Sequence, residues 1–75
     1  MTTNLMSSLV FNENGNKIWR LGKMLHRIDG PAIEYANGKK YWYLNDCKHR
    51  TDGPAYEAPD GEKEWWVRGE KRPII

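Results

Sequence analysis

The chain carries one stretch twice: HRIDGPA at residues 26–32 returns as HRTDGPA at residues 49–55. The offset is 23 residues, and it also brings a glycine, a lysine and a tryptophan of three successive segments into register. The matched positions are Gly15, Gly38 and Gly61; Lys17, Lys40 and Lys63; and Trp19, Trp42 and Trp65. Self-similarity at a fixed period of about 20–50 residues is typical of repeat proteins. The sequence therefore predicts a tandem array with a 23-residue unit.

Each unit holds turn signals at equivalent places. The first set is Asn14-Gly15, Asn37-Gly38 and Asp60-Gly61. These dipeptides favour two-residue type I′ turns, because both central residues need a positive φ. The second set is Leu21-Gly22, Asn45-Asp46 and Arg68-Gly69. No segment has the period of a helix, so we predict an all-β fold: an antiparallel meander of three hairpin repeats in a single twisted sheet.

The length and the cysteine content limit the organisation. Seventy-five residues fit one domain, with units at about 9–28, 29–51 and 52–75 behind an N-terminal arm, 1–8. The single cysteine, Cys47, cannot form an internal disulfide, and such a chain suits a reducing cytoplasm. Two histidines and one cysteine are too few for a structural zinc site, so we expect no metal and no cofactor.

The N-terminal segment and the charge balance disfavour several classes of protein. Residues 1–11 lack the basic and apolar regions of a signal peptide, and no apolar run approaches the ~20 residues of a membrane span. Twelve basic residues against ten acidic ones give a net charge of +2. That balance is too even for a protein whose affinity rests on neutralising phosphates. We expect a cytoplasmic protein without membrane contact, for which nucleic acid is a disfavoured partner.

Strand alternation sorts the residues into two faces. If the loop at 37–38 has two residues, Ile33 lies opposite Trp42 and Tyr35 opposite Lys40. The expected core face contains Val10, Trp19, Leu21, Ile33, Tyr35, Trp42, Leu44, Tyr56, Ala58, Trp65 and Val67, with Asn12, Lys17, Lys40 and Lys63 as its polar members. The opposite face has apolar and polar residues in equal numbers. The three repeated tryptophans are expected to form a buried spine.

The repeated heptapeptide has both a chemical and a structural interpretation. A catalytic or metal site would need a nucleophile or further ligands beside its histidine and aspartate, and none is evident. The structural interpretation makes the aspartate a turn cap, places the glycine in a strained conformation and lets the proline start the next strand. Its residues are His26, Arg27, Asp29, Gly30 and Pro31, and His49, Arg50, Asp52, Gly53 and Pro54. The two arginines are expected to pair with Glu34 and Glu57.

Aromatic residues that do not repeat are candidates for contact with a partner. Repeated residues serve a structural need that every unit shares, whereas Tyr41, Tyr43 and Trp66 replace other residue types of the neighbouring units. Tyrosine, tryptophan and arginine dominate interface hot spots. The predicted partner-binding residues are Arg20, Lys39, Tyr41, Tyr43, Trp66 and Arg68. The alternative is that this face is a second, smaller core covered by the N-terminal segment.

The 23-residue period, the glycine-marked hairpins and the aromatic strands resemble MORN-type repeats. More closely, the chain resembles variant tandem repeats that carry His-Arg-x-Asp-Gly-Pro-Ala, as in small viral and phage proteins, over residues 9–75. The resemblance implies a scaffold for protein or lipid contacts. Because the tyrosine-glycine signature of standard MORN units is absent here, lipid binding is not carried over.

These observations favour a small non-enzymatic module that binds a protein through its aromatic face. The resemblance implies a viral or phage accessory factor that inhibits or redirects a host protein in the host cytoplasm. Two alternatives stay open: binding of single-stranded nucleic acid on stacked aromatic rings, and an oligomer that sequesters a nucleotide or signal molecule between subunits. We also expect self-association as a homodimer, because an uncovered strand edge invites pairing with another copy.

Overall fold

Strands account for the regular structure of the molecule. The computed structural model describes residues 8–11 and 14–73, and within them the chain forms ten strands and no helix. The strands are β1 (Ser8–Phe11), β2 (Lys17–Leu21), β3 (Met24–Leu25), β4 (Ile33–Glu34), β5 (Lys40–Tyr41), β6 (Tyr43–Leu44), β7 (Cys47–Lys48), β8 (Tyr56–Glu57), β9 (Lys63–Val67) and β10 (Glu70–Arg72). All the pairings between them are antiparallel, which confirms the predicted all-β antiparallel class. In these residues, then, no helix is available to cross a membrane.

Eight strands form one sheet and two form a small separate one. The main sheet runs β1-β2-β4-β5-β8-β9-β10 with β3 beside β2, while β6 pairs with β7. The expected single sheet is therefore wrong in this detail. Trp42 separates β5 from β6 and belongs to neither strand. Its N–H still donates to the Ala55 carbonyl at 2.8 Å. The molecule is flat, with dimensions of 42 × 31 × 16 Å.

The hairpin between β4 and β5 has a three-residue loop where a two-residue turn was predicted. Ile33 pairs with Tyr41, one residue before the predicted partner Trp42. The loop is residues 36–38, and Gly38 has a φ of 96°. Asn-Gly suits this loop as well, because a three-residue hairpin needs a left-handed residue at its last position. The hairpin between β8 and β9 closes in the same way.

In each segment the strand before the glycine-containing loop (β1, β4 and β8) is called incoming, and the strand after it (β2, β5 and β9) outgoing. A two-residue turn follows each outgoing strand, after β6 in the second segment. Both residues of Asn45-Asp46 and of Arg68-Gly69 have a positive φ, as a type I′ turn requires. These two turns stand where the sequence predicts them. In the first segment Leu21 pairs with Met24, so the turn is residues 22–23, one residue later than predicted.

Because the observed hairpin register differs from the predicted one by one residue, the side chains of the incoming strands lie on the opposite faces from those predicted. Cross-strand partners share a face, so β4 places Ile33 with Tyr41 and turns Glu34 toward the side of the tryptophans. β8 does the same with Tyr56 and Glu57. The predicted core face, which combined the apolar residues of the incoming strands with the tryptophans, is therefore wrong.

We name the two faces by their aromatic residues. The tryptophan face carries Lys17, Trp19, Glu34, Lys40, Trp42, Glu57, Lys63 and Trp65. The tyrosine face carries Ile18, Ile33, Tyr35, Tyr41, Tyr43, Lys48, Tyr56, Glu64 and Trp66. The tryptophans share one face as predicted, but they are half-buried and form no buried spine. The predicted core positions Asn12 and the side chain of Val10 lie outside the described part.

Burial is shared between the faces. In the described part of the chain, the buried apolar residues are Ala32, Ile33, Ala55 and Tyr56, and no large side chain is completely buried. The alanines take part in hydrogen bonds that recur after 23 residues: the Trp19 N–H donates to the Ala32 carbonyl, and the Trp42 N–H to that of Ala55, both at 2.8 Å. These bonds join each outgoing strand to the next incoming one.

Candidate functional site

The motif arginine organises the tryptophan face around the first heptapeptide. The guanidinium of Arg27 lies 3.8 Å from the ring centre of Trp19. Its Nε donates to Asp29 at 3.0 Å and its Nη1 to the Pro31 carbonyl at 3.2 Å. Nη1 also lies 3.4 Å from Glu34 Oε2, which confirms the predicted pairing. Stacked and charge-assisted contacts on every side hold this arginine in one position.

The second heptapeptide makes the same contacts. Arg50 lies 4.0 Å from the ring centre of Trp42 and donates to Asp52 at 2.9 Å, to the Pro54 carbonyl at 3.0 Å and to Glu57 at 3.1 Å. The hydrogen bond from Arg50 is the main reason why the pKa of Asp52 is below its ordinary value. The predicted turn cap is thus chiefly a bond between the aspartate and arginine side chains.

The motif glycines make room for the arginines. Neither Gly30 nor Gly53 has a positive φ, so the predicted strained conformation is wrong. A Cβ atom at either position would lie 2.9 Å from the guanidinium carbon of Arg27 or Arg50. A side chain at either position would therefore have to displace the guanidinium, which packs against the glycine.

The motif histidines tie each heptapeptide to the next turn. His26 Nδ1 accepts the Asn45 N–H at 3.1 Å, and His49 Nδ1 accepts the Arg68 N–H at 3.0 Å. A neutral ring that accepts through Nδ1 carries its proton on Nε2. Within the described residues, no three His, Cys, Asp or Glu side chains are arranged to hold a metal ion. The contacts seen here are structural ones.

Two grooves open on the side of the tryptophan face. One, of about 560 Å³, separates the two heptapeptides and is lined in part by Ile28, Trp42, Leu44 and Thr51. Its arginines are already engaged by carboxylates, as described above. The other, of about 340 Å³, includes Arg68. Arg68 was predicted to lie on the same face as Tyr41, Tyr43 and Trp66, but it lines this groove on the other side of the sheet.

The tyrosine face gathers aromatic side chains from successive hairpins. Tyr41 is at the centre: its ring centre lies 4.7 Å from that of Tyr56 and 5.7 Å from that of Tyr35, which it meets edge to face. Tyr35 is 38% exposed, whereas Tyr56 is buried. Edge and offset contacts of this kind are favourable for aromatic rings. The cluster is thus packed at its base and open at Tyr35.

A lysine joins the remaining aromatic residues to this cluster. Lys48 lies opposite Tyr43 in the β6–β7 pair. Its ammonium is 4.5 Å from the ring centre of Trp66 and 5.4 Å from that of Tyr41. A cation over aromatic faces at these distances is attracted by both rings. The tyrosine face is therefore an aromatic surface with one lysine at its middle.

Burial, and to a smaller extent nearby acidic groups, raises the pKa values of three tyrosines on the tyrosine face. The Tyr56 hydroxyl donates to Glu62 Oε1 at 3.2 Å. Burial, with the contribution of Glu62, raises the pKa of Tyr56 to about 12. Burial also raises the pKa values of Tyr41 and Tyr43. At neutral pH these hydroxyls are protonated and can donate hydrogen bonds.

The charges on this face are unevenly matched. Glu64 accepts a hydrogen bond from Trp66 Nε1 at 2.9 Å and lies 3.8 Å from Lys71 Nζ. Lys48, by contrast, has no carboxylate within ion-pair distance among the described residues. Its charge is therefore available to a partner.

The structure brings together half of the predicted partner-binding residues. Those that meet around the lysine are Tyr41, Tyr43 and Trp66. Lys39 lies beside the cluster, since its carbonyl accepts the Tyr35 N–H at 2.9 Å. Arg20 is exposed in the first hairpin and donates to the Lys23 carbonyl at 3.5 Å, and Arg68 belongs to the smaller groove. That these residues bind a partner stays a prediction.

The sequence interpretation missed four members of the tyrosine face. Ile33, Tyr35 and Tyr56 were assigned to the core face because of the wrong hairpin register. Lys48 was not considered, although a two-residue turn at 45–46 places it opposite Tyr43. That turn was the available signal.

Comparison of the chain with protein-family models, with curated proteins and with solved structures gives no significant match. The resemblance to MORN-type repeats and to their viral and phage variants stays a prediction.

Proposed function

We propose that the chain is a non-catalytic module that binds a protein partner on its tyrosine face. The observation that carries the proposal is the aromatic cluster of this face, in which the ammonium of Lys48 lies over the rings of Tyr41 and Trp66 and has no carboxylate partner among the described residues. Tyrosine and tryptophan give large, rigid contact areas at low entropic cost. Interface hot spots are enriched in the same residue types.

The chemistry of the face specifies the kind of partner. The rings offer apolar area, and the hydroxyls of Tyr41 and Tyr43 are protonated at neutral pH and can donate hydrogen bonds. The central Lys48 lacks a counter-charge in the described part of the chain. A protein surface that presents apolar side chains around a carboxylate complements this arrangement.

Single-stranded nucleic acid is the competing ligand. The observed register moves Glu34 and Glu57 to the tryptophan face, which removes two acidic residues from the stacking surface. Glu62 and Glu64 remain beside the rings, however, and the net charge is only +2. Because affinity for a polyanion rests on neutralising its phosphates, the two carboxylates beside the rings and the small net charge favour a protein partner.

We further propose that the 23-residue recurrence reflects a MORN-like tandem repeat. The equivalent arginine contacts of the two heptapeptides and the equivalent bonds between strands support this interpretation. The absence of enzymatic activity, the viral or phage origin, the inhibition of a host protein and the cytoplasmic location are part of the same proposal and rest on the sequence alone.

A charge reversal at the centre of the face tests the proposal. Lys48→Glu is compared with Lys23→Glu, which makes the same change in net charge on an exposed turn. We expect proteins retained by the immobilised wild type and by Lys23→Glu to be lost with Lys48→Glu. With the purified partner, Lys48→Glu should weaken binding by tenfold or more, about 1.4 kcal/mol. Its cost in folding stability should be only about 0.5–1 kcal/mol.

A second variant tests the same face. Tyr35→Ala, which truncates the exposed ring at the rim, should also weaken binding while the fold is retained. Equal binding by the two charge variants would refute the role of this face. Salt-dependent binding of an oligothymidylate that competes with the captured protein would favour the nucleic-acid alternative.

A further inference from the structure

Two strands of the main sheet show how successive segments join. Lys17 and Ile18 of β2 pair with β1 on one side and with β4 on the other. Lys40 and Tyr41 of β5 pair likewise with β4 and with β8. In both segments the beginning of the outgoing strand is therefore bordered on both edges.

The corresponding part of β9 is bordered on one edge. Lys63 and Glu64 pair with β8, and no other described strand lies beside them. The Ala55 N–H donates to the Glu64 carbonyl and the Ala58 N–H to the Glu62 carbonyl, at 2.8 and 2.9 Å. Because backbone groups alternate in direction along a strand, the N–H and C=O of Lys63 face the open edge. This edge is equipped to pair with a further strand.

The first strand has the matching open edge. The β1–β2 and β4–β5 pairs have equivalent registers. Phe11 lies opposite Lys17 in the first pair, and Glu34 lies opposite Lys40 in the second. The far edge of β4 is bordered by β2, whereas no described strand borders the far edge of β1. Ser8–Phe11 contains no charged residue and no proline. Charged residues and prolines are devices by which proteins protect exposed strand edges from pairing.

We propose that the open edge of β9 pairs with β1 of a second copy of this chain, so that the sheet continues head to tail. Advancing the β5–β8 register by one segment places Lys63 opposite Phe11 of the second copy, and Glu64 opposite its Val10. The same strand register occurs twice within the chain, at β2–β4 and at β5–β8. Within the described residues each molecule carries both complementary edges, and we therefore propose a second copy as the occupant.

The proposal differs from a two-fold dimer and is independent of the partner on the tyrosine face. The two edges that meet are different, so the contact is heterologous and each added copy leaves new edges free unless a ring closes. The expected homodimer is thereby replaced by an assembly in which each tyrosine face continues into the next. The groups that pair are backbone groups at the sheet edges, and the aromatic rings are not used.

Disulfide trapping tests the register. In a Cys47→Ser background, Lys63→Cys protein is mixed with Phe11→Cys protein under mild oxidation. Opposite residues of antiparallel strands have Cα atoms about 4.5–5.5 Å apart, which is within the range of a disulfide. We expect mixed dimers as the main product. Lys40→Cys is the matched control, an exposed lysine at the equivalent position of a strand that is bordered on both edges; it should give no mixed dimer.

The results that would overturn the proposal are specific. They are the absence of mixed dimers, an equal yield with Lys40→Cys, or faster dimerisation of Phe11→Cys alone, which would mean that β1 pairs with itself. For the unmodified chain, light scattering should show a mass that rises with concentration. Lys63→Pro removes the N–H that faces the open edge and should return the mass to that of a monomer, while Lys63→Val should not. A monomer at every soluble concentration of the unmodified chain would contradict the proposal.

Discussion

On the tryptophan face an arginine stacks on an indole at two places 23 residues apart, while on the tyrosine face no described ring contact recurs at that spacing. Arg27 and Arg50 bind equivalent residues in equivalent ways. Tyr41, by contrast, occupies the position held by Ile18 and Glu64 in the other segments. Recurrence along the chain thus reports what the fold needs, and departure from it marks the face that we propose to bind a partner.

The largest effect should appear when an indole stacked under a motif arginine is removed from the tryptophan face. Trp42→Ala should lower the free energy of unfolding by about 3 kcal/mol, since it removes the ring that supports Arg50. A domain of this size has about 4–11 kcal/mol in total. Trp65→Ala should cost less, because no described arginine stacks on that ring. Equal losses in urea unfolding of the two variants would show that the arginine contact adds nothing.

A smaller effect should separate the two roles of glycine. Gly53→Ala should cost about 1–3 kcal/mol by displacing the Arg50 guanidinium, as overpacking does. In an Arg50→Ala background the same change should cost much less, which a double-mutant cycle measures. Gly61→Ala is the comparison: it meets open space but has a φ of 94°. Its cost should be independent of Arg50, and additivity at Gly53 would contradict the packing explanation.

The smallest of these effects is a pH dependence of the tyrosine face. The folded pKa of Tyr56 is about 12 against an ordinary 10.0, so folding favours the neutral hydroxyl. Its contribution to stability is complete below pH 10 and is lost as the pH rises from 10 to about 12. Tyr56→Phe cannot ionise there, so its stability should fall less over this window. Circular dichroism at a series of pH values measures the difference, and identical alkaline profiles would refute it.

The periodicity of the sequence was sufficient to predict the strand class and the turns at Asn45-Asp46 and Arg68-Gly69. Those features depend on residues adjacent in the chain. The pairing of each motif arginine with the next glutamate was also predictable, because opposite charges recurred together at one spacing. The face assignment was not, since it depended on the length of the hairpin loop.

The loop length was ambiguous for a local reason. Asn37-Gly38 suits a two-residue loop and also a three-residue loop that ends in a left-handed glycine. A shift of one residue then moves every side chain of the incoming strand to the other face. The cross-strand charges favoured the observed register, which sets Glu34 opposite Lys40 where the predicted one set it opposite Tyr41. The places of Tyr35 and Tyr56 in the tyrosine cluster follow from that choice.

The strand order has a consequence for how the chain reaches its structure. In the described sheet, the longest separation between paired residues is 17, as between Lys17 and Glu34 or Lys40 and Glu57. Most all-β proteins fold slowly because their strands must find partners far along the chain. Here the closure entropy of each loop is small, and a segment can dock on its predecessor as soon as it leaves the ribosome.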